Sequence, residues 1–105
     1  MKPNNFYSAV PVNLEQEVFE RLAGNAHVTI ERIFSKGQQS PPSGWYDQEK
    51  NEWVIVLKGK AVLVFENQES VYLNEGDYIN IPPHKKHRVK WTDPDSETIW
   101  LAVHY

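Results

Sequence analysis

No cysteine occurs among the 105 residues. That absence excludes disulfides, thiolate metal centres and a cysteine nucleophile, and it fits a reducing compartment such as the cytoplasm. Long hydrophobic runs are missing too: no stretch reaches the roughly 20 apolar residues of a membrane-spanning helix. Met1-Lys2-Pro3-Asn4-Asn5 carries one positive charge with no apolar segment behind it, so neither a signal peptide nor a membrane partner is expected. Excess charge of one sign is also scarce. Eleven Lys and Arg against 14 Asp and Glu give a net charge of −3, which argues against nucleic acid as a partner. The one basic cluster, Lys85, Lys86, Arg88 and Lys90, reads as a solvated strand edge. There is no glycine-rich phosphate loop and no Gly-x-Ser-x-Gly elbow, and Ser35, Ser40 and Ser43 have no base beside them.

What the chain does have is apolar surface. Hydrophobic residues make up 40% and aromatics 12%, including four Trp and five Tyr, which suits one globular domain with its own core. Residues 1–26 read as an arm followed by a helix. Asn13 is a good N-cap, Leu14, Val18, Phe19 and Leu22 share a helical face, and Gly24 suits the residue after the last turn.

From His27 the period becomes two, and residues 27–105 read as a β-barrel. Lys36 to Gly44 has loop composition, and Trp45 to Gln48 suits a short strand. Glu52 to Leu57 is the strongest strand. Turns at Lys58-Gly59-Lys60, Asn67-Gln68-Glu69 and Asn74-Glu75-Gly76 separate further short strands. Pro82-Pro83 ends the strand Tyr78–Ile81, and the next runs from Arg88 to Trp91 with His87 at its mouth. A last strand spans Glu97 to Tyr105. Strands of this length and spacing predict an all-β antiparallel sandwich or barrel.

With the turns placed, Gly76, Pro82 and His87, together with Glu52 and Gly59, stand at spacings that resemble the motifs of a small single-domain cupin. Trp45-Tyr46-Asp47-Gln48 ahead of Glu52-Trp53, with Trp100-Leu101-Ala102-Val103-His104-Tyr105 at the end, looks like a bacterial group of undefined activity. Gly76, Pro82 and His87 match the family's second motif in spacing, with His84 where a glycine is usual. Glu52 and Gly59 match the first motif, but its two histidines are missing. Trp45 and Asp47 stand in their places under one permitted spacing, Tyr46 and Gln48 under the other. The resemblance covers about residues 28 to 105. It implies an antiparallel double-stranded β-helix, or jelly-roll barrel, here with one short N-terminal helix. It also implies a homodimer.

In such a barrel the two motif strands converge on one metal, so the resemblance implies Glu52 and His87 as ligands of a divalent ion. Carboxylate and imidazole together suit Mn, Fe, Ni or Zn. Asp47 or Gln48 is the candidate third ligand, and the two-residue period couples Trp45 to Asp47 and Tyr46 to Gln48. Tyr46, Asp47 and His104 are the candidates for moving a proton. His104 shares a face with Trp100 and Ala102, and enters the barrel only if Trp100 points inward. His84 and His87 lie on opposite faces of an extended chain, so a shared site needs a bend between them. His27 reads as structural, and Gln38 and Gln39 as residues that overhang the mouth.

Two functions compete on these residues. One is a metal-dependent isomerase, cyclase or lyase acting on a small molecule. The other is a small-molecule-binding or structural, regulatory cupin dimer with a degenerate metal site.

Overall fold

The computed structural model describes residues 1–41 and 43–105. The loop expected over residues 36–44 contains Pro42, which lies outside them.

Eight antiparallel strands form two sheets. They are β1 (Val18–Gly24), β2 (Thr29–Ser35), β3 (Glu52–Lys58), β4 (Ala61–Phe65), β5 (Ser70–Leu73), β6 (Tyr78–Ile81), β7 (His87–Thr92) and β8 (Thr98–His104). One sheet has the order β1-β2-β8-β3-β6 and the other β5-β4-β7. Alternation decides what lies between them. Val54 and Val56 of β3 meet Leu63 and Phe65 of β4, with Ile33, Leu73, Ile81, Trp100 and Ala102 completing a buried apolar cluster. Each of these side chains sits two residues from another on its strand or on the matching face of a neighbour, as a half-buried pleated sheet requires.

The helix expected over Leu14–Ala23 is not formed, and no residue described here is helical. Val18 to Gly24 is a strand paired with β2, from Val18↔Phe34 to Gly24↔Thr29, with a register shift between Arg21 and Ala23. The local signals are real but serve another end. Asn13 Oδ1 accepts a hydrogen bond from the Glu15 amide at 2.9 Å, as a cap would, yet the chain then extends. Strand pairing gives the acids partners that a helix would leave in water. Glu20 meets Arg32 at 2.7 Å across the ladder, and Glu17 accepts from Ser35 Oγ at 2.6 Å. Gly24 closes the turn because a Cβ there would lie 2.6 Å from the Val28 carbonyl oxygen.

Ahead of β1, the arm is tied to the outer face of the sheet by Arg32. Its guanidinium donates to the carbonyls of Phe6 (2.8 Å) and Ser8 (2.9 Å) and sits over the Phe34 ring, 4.8 Å from its centroid. Between β3 and β4, Gly59 makes the turn at φ 90°, where Thr98 leaves no room for a β-carbon.

Candidate functional site

At one end of the space between the sheets the apolar packing opens into a half-enclosed cavity of about 110 Å³. Roughly 10–15 Å³ on this measure holds one water, so there is room for several waters or one small organic group. Its walls are apolar and aromatic, with Ile33, Val54, Leu63, Trp100 and Phe19 among them.

Two short backbone contacts decide which residues face it. The Tyr46 amide donates to the His87 carbonyl at 2.8 Å, and the His87 amide returns a bond to Tyr46 at 3.2 Å. Two residues on, the His84 amide donates to the Gln48 carbonyl at 2.8 Å. The segment expected as a strand over Trp45 to Gln48 is therefore a single β-bridge, Tyr46↔His87. It is enough to set the phase: Tyr46 and Gln48 line the cavity. Asp47 turns the other way and pairs with His84 at 2.7 Å, both of them solvent-exposed. His84 takes a left-handed φ of 62° there, and the bend does not bring it to His87.

Trp100 points inward, and His104 follows it on the same face of β8 into the cavity. A chain of polar contacts results. His104 Nε2 lies 2.9 Å from Glu31 Oε1, and its Nδ1 lies 3.0 Å from Gln48 Oε1. Gln48 Nε2 donates to Glu52 Oε1 at 3.3 Å, and the same oxygen lies 3.3 Å from His87 Nε2. His87 is 5% exposed and donates through Nδ1 to the Lys85 carbonyl at 2.9 Å, with the rings of Tyr46 and Phe65 beside it. Burial on its own would lower the His87 pKa. The hydrogen bond to Glu52, the Lys85 carbonyl and the negative charge of Glu52 together outweigh it and raise the value.

A second chain enters from the side. Trp100 Nε1 donates to Ser35 Oγ at 3.2 Å, and Ser35 donates in turn to Glu17 Oε2. Glu17 stands where the cavity meets an outer groove between the arm and residues 38–41. Burial raises its pKa, and the Ser35 hydrogen bond offsets this only in part. Glu17 and Glu31 escape sequence reasoning for different reasons. Glu17 falls in the segment read as a helix. Glu31 is one of several charges in a period-two stretch, and only its inward face, shared with Ile33, distinguishes it.

A divalent ion at this site would meet two ionisable donors, Glu52 and His87. The Nδ1 bond to Lys85 leaves His87 Nε2 facing Glu52, as a ligand imidazole would be held. Asp47 is directed away, and Gln48 offers only a neutral amide. Among the described residues no group of three or more His, Asp or Glu side chains is placed to hold a metal. Catalytic and structural zinc sites use three or four protein ligands. The donor set does not fit an ion held by the protein alone.

Comparison with known proteins agrees with this architecture. The model of the cupin domain family matches residues 31–104. A crystal structure from Ralstonia eutropha JMP134, provisionally named a mannose-6-phosphate isomerase, superimposes with a TM-score of 0.93 at 42% identity, covering 99% of this chain and 97% of that one. A cupin superfamily protein of Desulfitobacterium hafniense DCB-2 gives 0.74 at 19% identity, over 90% and 82% of the two chains. The Fe(II) form of HppE gives 0.73 at 15% identity, over 92% of this chain and 54% of that one. At such identities the last two likenesses are of fold alone. No curated protein matches the chain.

Proposed function

This chain belongs to the cupin family, and from that premise we propose that its barrel binds a small organic molecule and moves a proton on it, as an isomerase does. The observation that carries the reading is the continuous polar chain Glu31–His104–Gln48–Glu52–His87 along a largely apolar cavity. Each end pairs an imidazole with a carboxylate, the usual composition of an acid–base group that works near neutral pH. One imidazole takes a proton from the carbon beside a ligand carbonyl, the other protonates the oxygen, and reversal at the neighbouring carbon completes an isomerisation. Tyr46, half-exposed and lining the cavity, offers its hydroxyl to orient the ligand. Asp47 has no part in this scheme. The name given to the Ralstonia relative supports an isomerase in general terms.

The test is proton exchange. Hydroxycarbonyl compounds such as dihydroxyacetone and glyceraldehyde are incubated with the protein in D2O, and loss of carbon-bound proton signal is followed by NMR. Exchange is expected with the wild type, with a loss of about 100-fold in His104→Gln or His87→Gln, the usual worth of an acid–base group. Binding without exchange would leave a non-catalytic ligand-binding cupin.

A second reading rests on the orientation of His87, which suits a metal ligand: a Mn, Fe, Ni or Zn ion on Glu52 and His87, completed by the substrate. Stoichiometric metal that disappears in both Glu52→Ala and His87→Ala would replace the metal-free scheme with this one.

We also read the protein as a bacterial cytoplasmic homodimer. The cysteine-free sequence is compatible with that compartment. Sheet edge β6 and its outer aromatic pair, Trp53 and Tyr78 with ring centroids 5.4 Å apart, support the dimer.

A further inference from the structure

The charges around the cavity say more about its ligand than its shape does. Three carboxylates line it, Glu17, Glu31 and Glu52, against two imidazoles, His87 and His104. None of the eleven Lys and Arg residues lines it. The outer groove that shares Glu17, Tyr46 and Val89 with the cavity adds Glu15 and the amides of Gln38 and Gln39, again without a cation. The nearby basic residues belong to other surfaces: Arg88 stacks 4.5 Å over Trp45 and Lys85 lies 5.0 Å over Phe65. With the three carboxylates ionised, even two protonated imidazoles leave the lining negative.

Resting on the proposed binding of a small molecule in the barrel, we infer that this ligand carries no anionic group and is rich in hydrogen-bond donors, as an unphosphorylated polyol or an amine is. Two physical arguments converge. An anion would be brought into a partly desolvated, net-negative space with no arginine or lysine to accept it, and phosphate recognition depends on such partners. When ionised, the carboxylates can only accept hydrogen bonds, so the ligand must bring the donors. Aromatic faces at Phe19, Tyr46 and Trp100 suit either the C–H surface of a polyol or an ammonium group. The Ralstonia relative bears the name of an enzyme for a phosphorylated sugar. This chain, by its own lining, should reject one.

The experiment is a set of matched probes titrated into the whole protein by calorimetry: dihydroxyacetone against its phosphate, D-mannose against its 6-phosphate, and mannosamine as the amine. In parallel, NMR follows the Trp100 indole N–H and the rings of His87 and His104 to locate each probe. The unphosphorylated or amino members are expected to bind about tenfold or more tighter than their phosphates, moving the cavity signals. The polyol and amine arms show which donor the site prefers. Glu17→Gln, which removes one charge, should narrow the gap. Tighter binding of the phosphates, with the same cavity signals shifting, would overturn the charge inference and leave binding in the barrel intact. If no probe shifts those signals, or all binding maps elsewhere, the barrel reading itself falls, and the inference with it.

Discussion

Glu52 and His87 meet at a single 3.3 Å contact, and its effect has a measurable sign. The imidazole pKa is raised because the bond to Glu52, the Lys85 carbonyl and the Glu52 charge exceed the opposing effect of burial. Replacing Glu52 with Gln removes the charge and weakens the bond, so His87 should titrate lower in Glu52→Gln, which an NMR pH titration of the ring protons reads directly. A folded pKa above the ordinary 6.5 stabilises the fold fully below pH 6.5, and that contribution is lost as pH rises through the raised value. Glu17 behaves differently: burial raises its pKa, so its ionised form is a burden on the fold at neutral pH. Glu17→Gln keeps an acceptor for Ser35 without the charge. It should stabilise the protein by up to about 1 kcal/mol above the carboxylate range, and by nothing in acid, as denaturant melts at two pH values would show. Glu52 and His87 stood out in the sequence through their match to the two motifs of the cupin family. The choice between Tyr46 with Gln48 and Trp45 with Asp47 was not readable, because a two-residue period has two phases. Here the phase is set by backbone bonds to residues 84–87, some 40 positions away.

At the level of elements, most of the strands from β2 onwards follow from alternation and turn residues, and β1 does not. Leu14, Val18 and Leu22 sit at helical spacing, but helical stability comes mainly from what the apolar face packs against. The open edge of β2 offered a full ladder instead, and Glu20–Arg32 sits across it. The arm before β1 depends on Arg32. Arg32→Met should free Phe6 and Ser8, which limited proteolysis would detect as early cleavage within residues 1–12 while the barrel remains resistant. The β3–β4 turn is less forgiving. At Gly59 a methyl group would lie 2.5 Å from Thr98 Oγ1, at a left-handed φ. Gly59→Ala should cost about 2 kcal/mol or more in chemical denaturation, since both strain and collision oppose it.

For the whole molecule, the edges left open by the five-stranded sheet are β1 and β6. The dimer reading predicts a light-scattering mass about twice the 12.2 kDa chain, falling toward the monomer in Tyr78→Lys, where a charge would blunt the edge.

The surplus of carboxylates also bears on how the barrel assembles. Sliding Trp45–Gln48 by one residue along the 84–87 turn would exchange Tyr46 and Gln48 for Trp45 and Asp47. That slip would strip His84 of its carboxylate and place a fourth acid among Glu17, Glu31 and Glu52 with no added cation. Among the described residues two backbone pairings, Tyr46 with His87 and Gln48 with His84, hold this segment to the turn, and repulsion would penalise the wrong alignment before any ligand arrives. On the proposed reading the acidic lining would act as a proofreader of strand alignment, the charge that selects the guest also disfavouring the slipped frame.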